Sequence, residues 1–187
     1  MRESWLLSTT FSLNLVVTGV RPVLSQTNGF RKENVFSIAS EDELVQAFRL
    51  RDQKKLILPD NLQFPMNIRS YFTWKEPSGV YTYLIFKLPN WELPRGVAFK
   101  HTGSSGEPVG GLCNWCHAYG SSDEIGMLSI AMSANVSQSY LLCLDLSCIE
   151  KIEDNTARAG KDPEKQIAEL YHCIEKLFEN ISNYKPD

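Results

Sequence analysis

Apolar residues Ile167, Leu170, Tyr171, Ile174, Leu177, Phe178 and Ile181 recur at three- and four-residue spacing behind Asp162-Pro163. This period predicts an amphipathic helix over 163–183, with an aspartate N-cap and proline at the first helical position. Core packing accounts for such a stripe, and a partner-binding face is the alternative. Upstream, Ser40-Glu41-Asp42-Glu43 has the form of a capping box, and Leu44, Val45 and Phe48 follow at helical spacing. A short helix over 41–50 is expected there. Between the helices the pattern changes. Residues 54–59 read as a brief strand stopped by Pro59, 80–88 as a longer one rich in Tyr, Ile and Phe, and 97–100 as a third. Pro65, Pro77-Ser78-Gly79, Pro89-Asn90 and Pro94-Arg95-Gly96 punctuate the chain at the spacing of antiparallel β structure. Two apolar segments, 125–132 and 139–146, flank Ser133-Ala134-Asn135-Val136 and predict a hairpin. The expected class is α+β, an antiparallel β-rich domain with a C-terminal amphipathic helix.

The first 33 residues fit this pattern less well. Residues 5–20, WLLSTTFSLNLVVTGV, form a long apolar stretch, but Ser8, Thr9, Thr10, Ser12, Asn14 and Thr18 dilute it. It is too short and too polar for a membrane-spanning helix. Arg2 before it and Val23-Leu24-Ser25 after it follow the order of a signal peptide, but Glu3 cancels the Arg2 charge. Residues 1–33 are therefore read as an N-terminal extension, whether a leader, an extra strand or a start-site artefact, and 34–187 as the domain. A chain of 187 residues suits one domain with or without an ordered appendage. At 43% hydrophobic and 22% charged residues it is neither disordered, collagen-like nor a coiled coil. The net charge of −3 arises wholly within 150–187, where nine acids face six bases. No dense Lys/Arg run is present, which disfavours direct nucleic-acid binding.

The cysteines change the picture. Cys113-Asn114-Trp115-Cys116 is followed at a distance by Cys143-Leu144-Asp145-Leu146-Ser147-Cys148. Two close pairs joined by a loop are what four-coordinate zinc needs, because each tight turn supplies two thiolates and the loop closes the tetrahedron. A knuckle after Gly110-Gly111, a hairpin, then Cys143 ending a strand and Cys148 opening a helical turn is the order of a treble-clef finger over 111–150. All four positions would be filled by protein, so the zinc would be structural, with no open position for water. Cys113-Asn114-Trp115-Cys116-His117 also satisfies the C-x-x-C-H haem-attachment pattern, though that leaves Cys143 and Cys148 without a role. Two disulfides are the alternative for an exported chain. No βαβ pattern precedes the motif, as a thioredoxin-like pair would need, and the H-x-E of zinc deaminases is missing. Cys173 is expected to be a small core residue, and His101, His117 and His172 to be surface or outer-shell residues. No G-x-x-x-x-G-K, G-x-G-x-x-G, H-E-x-x-H or G-x-S-x-G occurs, so a non-enzymatic role is expected.

The run from Gly111 to His117, with Tyr140 to Cys148 downstream, resembles the C-terminal treble-clef domain of elongation factor G-binding proteins, the FusB-type fusidic-acid-resistance family. The helix start at Ser40–Leu44, Leu56–Pro59 and the Tyr83–Phe86 segment are similar to that domain as well, so the likeness covers 34–183. The resemblance implies a bacterial, cytoplasmic protein whose zinc domain binds elongation factor G and, in resistance members, frees it from the drug-stalled ribosome. It implies Cys113, Cys116, Cys143 and Cys148 as zinc ligands. Trp115 and Tyr119, aromatics on or near the knuckle, are candidate partner anchors because large rings dominate interface energies; for Trp115, packing against the metal site is the other reading. Neither a small-molecule substrate nor a membrane is implied. Resistance members carry an additional N-terminal helical domain, for which residues 1–33 are too few. An exported c-type haem or disulfide protein and a zinc-stabilised RNA-binding finger are the alternative functions.

Overall fold

The computed structural model describes residues 34–103 and 110–184. Readings that fall on 1–33, and on 104–109 of the glycine-rich lead to the cysteines, lie outside the described residues. In chain order the elements are β1 (Val35–Ile38), α1 (Glu41–Gln46), α2 (Leu50–Gln53), β2 (Met66–Arg69), β3 (Tyr71–Lys75), β4 (Tyr81–Phe86) and β5 (Arg95–Thr102). They continue with β6 (Gly111–Leu112), β7 (Tyr119–Gly120), β8 (Ile125–Ala131), β9 (Ser137–Cys143), α3 (Cys148–Arg158) and α4 (Glu164–Asn183). The class is α+β with antiparallel pairing, as the hydrophobic pattern predicts.

The central sheet has the order β3-β4-β5-β8-β9. From Thr82 to Phe86, β4 is buried throughout, because both faces of the sheet are covered. Its alternate side chains serve two cores. Leu84 and Phe86 join Val97, Phe99, Leu128, Ile130 and Leu142 under α3, α4 and the cysteine knuckle. Tyr83 and Ile85 face the other way with Trp74 and Ala98, against Phe36, Ile38, Leu44, Phe48 and Ile68. On the first side α4 buries Leu170, Ile174, Leu177 and Phe178, each worth about 1.5–3 kcal/mol relative to exposure. The Asp162 carboxylate accepts from the Glu164 amide at 2.9 Å and opens this helix as expected.

The predicted hairpin forms, with β8 and β9 pairing Ile125 with Cys143 at one end and Ala131 with Ser137 at the other; its second strand is 137–143 where the pattern predicts 139–146, because residues 144–146 turn away after Cys143. The expected helix over 41–50 is divided. The capping box forms, with Ser40 Oγ accepting from the Glu43 amide and Glu43 Oε2 accepting from the Ala39 amide. The chain then leaves helical geometry so that Phe48 can enter the core, where its ring meets Trp74 and Tyr83 edge-on. The Gly96 amide donates to Ala47 O at 2.8 Å across this break. Residues 54–59 are not a strand. Their carbonyls are bonded by side chains instead of a ladder: Tyr83 Oη donates to Lys55 O and Trp74 Nε1 to Ile57 O. Elements without a sequence prediction complete the fold: β1 and β2, which pair with each other, β3, α2 beyond Leu50, the β6–β7 ribbon and the full length of α3.

A Cβ on Gly96 would lie 2.7 Å from three carbons of the Phe48 ring, whereas one on Gly103 meets nothing within 4 Å. Gly96→Ala is therefore expected to cost about 1–3 kcal/mol by overpacking, and Gly103→Ala to be neutral or slightly stabilising. Urea unfolding of both variants checks the contrast.

Candidate metal centre

The Cys113–Cys116 turn is carried by a two-residue ribbon. Strands β6 and β7 pair Gly111 with Gly120 and Leu112 with Tyr119, and within the loop Cys113 N–H donates to Ala118 O and His117 N–H to Cys113 O. His117 takes a left-handed conformation, φ 56°, to close the turn. The backbone amides of Cys116 and Ala118 act to lower the Cys113 and Cys116 thiols respectively, the direction a zinc knuckle requires. Asn114 ties the knuckle to the sheet. Its amide donates to Leu141 O and its Oδ1 accepts from Leu141 N–H, both at 2.8 Å, so it occupies part of the open edge of β9.

The second pair comes from the strand-to-helix corner. Cys143 ends β9 and Cys148 is the first residue of α3. Between them Leu146 adopts φ 57° and is fully buried. From Cys148 the helix buries Ile152 and Thr156 at four-residue spacing, and it ends in a Schellman motif. Gly160 N–H donates there to Ala157 O and Lys161 N–H to Thr156 O, with Gly160 at φ 62°. That period, followed by a glycine stop, is the signal in the sequence by which α3 could have been recognised.

The four sulfurs meet in the core. Cys113 Sγ lies 3.8 Å from Cys148 Sγ and Cys116 Sγ 3.6 Å from Cys143 Sγ, and all four ligand atoms lie within 4.8 Å of one another. A tetrahedral zinc with sulfurs at about 2.3 Å sets its ligands about 3.8 Å apart, so the donor set fits that ion. All four cysteines are free and buried, and the spacing is far beyond a disulfide bond length. Contacts with Cys116, Cys143 and Cys148 hold the Cys113 thiol well below its ordinary value, while contact with Cys113 and Cys116 pushes Cys143 and Cys148 well above theirs. Four thiols this close cannot all ionise unless a cation joins them. Burial works against the Lys151 ammonium, but the charges of Cys143, Asp145 and Glu124 and a hydrogen bond to Cys143 outweigh it and raise its pKa. Lys151 thus sets one positive charge beside the sulfurs.

Other candidate residues lie outside the cluster. Cys173 is half-buried against the same core, and burial raises its thiol. His117 is exposed beside the knuckle, His172 is exposed on α4 at 3.7 Å from Glu175, and His101 Nε2 bonds to Thr82 Oγ1 at 2.7 Å. The two aromatics part company. Trp115 is 5% exposed, its ring edge-on to Phe99, so it packs in the core under the metal site. Tyr119 is 77% exposed and faces solvent opposite Leu112, itself 52% exposed.

Cys113→Ser or Cys143→Ser is expected to abolish stoichiometric zinc and to lower stability, whereas Cys173→Ser keeps one zinc per chain. Metal analysis with thiol counting separates these outcomes. Affinity is expected to fall as pH falls, because protons compete with metal for the thiolates. A chelator titration across pH measures this, and affinity rising in acid would contradict it.

The FBP C-terminal treble-clef zinc-finger family model matches residues 41–184. No curated protein matches. Among solved structures, that of the fusidic acid resistance protein FusC aligns at 21% identity with a TM-score of 0.45, covering 80% of this chain and 60% of that one. This chain therefore spans less than two thirds of the FusC chain's length. With the family model matched over most of its length and the four sulfurs gathered by a knuckle and a strand-to-helix corner, the chain belongs to the FBP C-terminal treble-clef zinc-finger family.

Proposed function

We propose that the chain is a non-enzymatic recognition module that binds translation elongation factor G, with a structural zinc at its four cysteines. Membership of the treble-clef family and the likeness of the 111–117 and 140–148 segments to elongation factor G-binding proteins support this reading. The observation that carries it is the closure of the site. Four buried thiols take every position of a tetrahedral ion, which leaves none for substrate or water. The ribbon that carries the first pair, meanwhile, presents Tyr119 and Leu112 to solvent. A metal of this kind braces a surface, and the chemistry on that surface is recognition.

The module acts by differential affinity, binding one conformation of the factor more tightly than another and so favouring its release from the ribosome. A cytoplasmic setting suits this role, since free thiols persist where the compartment is reducing. No helix among the described residues is long and apolar enough to cross a membrane.

The test is calorimetric titration of the zinc-loaded chain with purified elongation factor G. Binding is expected, and Tyr119→Ala is expected to weaken it about tenfold or more, as loss of an exposed aromatic anchor does. Absence of binding with zinc in place would contradict the reading. A haem absorption band, or salt-dependent retention of RNA by the same preparation, would favour the alternatives.

A further inference from the structure

The four residues between Cys143 and Cys148 form a turn whose successive carbonyls are taken by side chains from strands far away in sequence. Thr82 Oγ1 on β4 donates to Leu144 O at 3.0 Å, Thr73 Oγ1 on β3 to Asp145 O at a longer 3.4 Å, and Tyr71 Oη on β3 to Leu146 O at 2.7 Å. Each of these hydroxyls does a specific task. Tyr71 Oη also accepts from the Ile149 amide at 3.2 Å, in the first turn of α3. Ser147 holds the N-cap position there but makes no capping bond, because its hydroxyl and its amide are both turned to the Asp145 carboxylate. The tyrosine thus supplies the missing cap from another strand. Thr82 Oγ1, with its proton committed to Leu144 O, accepts from His101 Nε2–H, which fixes the direction of the bond. The clamp grips a strained segment, since Leu146 lies in the left-handed region that leucine avoids and keeps that geometry only where its surroundings impose it.

We infer that Tyr71 and Thr82, assisted by Thr73, are positioning residues for the metal centre, holding the Cys143–Cys148 turn so that two of the four sulfurs are placed before metal arrives. This rests on the reading of the four cysteines as a metal site. None of the three touches a sulfur through its hydroxyl contacts. They act through the backbone of the turn, as outer-shell partners orient ligands elsewhere. The sequence gives no sign of it, because Tyr71 and Leu146 are 75 residues apart.

The experiment is titration of the metal-free full chain with Co²⁺, followed by the thiolate-to-cobalt charge-transfer band, then displacement by Zn²⁺ against a competing chelator. Tyr71→Phe and Thr82→Val are each expected to reach the band of the four-sulfur complex at saturation but to bind metal about 10–100-fold more weakly. Thr82→Ser, which keeps the hydroxyl, should restore affinity. Tyr83→Phe is the matched control. It removes hydroxyl bonds to Lys55 O at 2.6 Å and to Glu76 Oε2 at 3.3 Å on the other side of the sheet, and should leave metal affinity unchanged whatever it does to stability. Wild-type affinity in Tyr71→Phe and Thr82→Val would overturn the inference, as would an equal loss in Tyr83→Phe. Should Tyr71→Phe fail to fold, the Val and Ser pair at Thr82 decides alone. If the unmodified chain bound neither Co²⁺ nor Zn²⁺, the metal-site reading would itself fail, a result distinct from normal binding in the variants.

Discussion

Four buried sulfur atoms within 4.8 Å of one another form an arrangement with a built-in electrostatic demand. As thiolates they repel; as thiols they waste the close approach. A divalent cation resolves the conflict. The surrounding architecture follows from keeping that cluster closed. The knuckle is pinned to β9 by Asn114, the second turn is held by hydroxyls from β3 and β4, and Trp115 and Phe99 pack beneath.

The sheet confines the direct effect of a metal at the cysteines to one side of the domain. Its strands carry two cores on opposite faces, one containing the cysteines and α4, the other closed by β1, β2 and Phe48. Only the first core contains the four clustered cysteines, so loss of a metal held there would strike one face directly. The other retains the Trp74–Tyr83–Phe48 cluster, whose aromatic contacts owe nothing to sulfur. The exposed Tyr119–Leu112 pair sits on the ribbon that carries Cys113 and Cys116, so recognition through it would be coupled to occupancy of a metal held there.

What the sequence made legible was local and periodic. The stripe of α4, the Asp162 cap, the β8–β9 hairpin and the C-x2-C and C-x4-C turns all carry their signal within a few residues, and each is present, though the hairpin's second strand ends at Cys143 where the pattern predicts 146. What it hid depends on distant partners. Strands β1 and β2 are four residues each and find one another across some thirty positions, too short to show a period. Residues 54–59 looked like a strand because they are apolar and end at proline, but their carbonyls are claimed by Tyr83 and Trp74. The different fates of Trp115 and Tyr119, both aromatic and four residues apart, are set by which side of the knuckle meets the sheet. That cannot be read before the layers are known.

One zinc held by Cys113, Cys116, Cys143 and Cys148 alone would have an all-sulfur coordination shell. X-ray absorption at the zinc edge of the purified protein addresses it most directly. A single shell of four sulfur neighbours at about 2.3 Å is expected. Nitrogen or oxygen in that shell, fewer than four sulfurs, or a folded protein that takes up no zinc would contradict it.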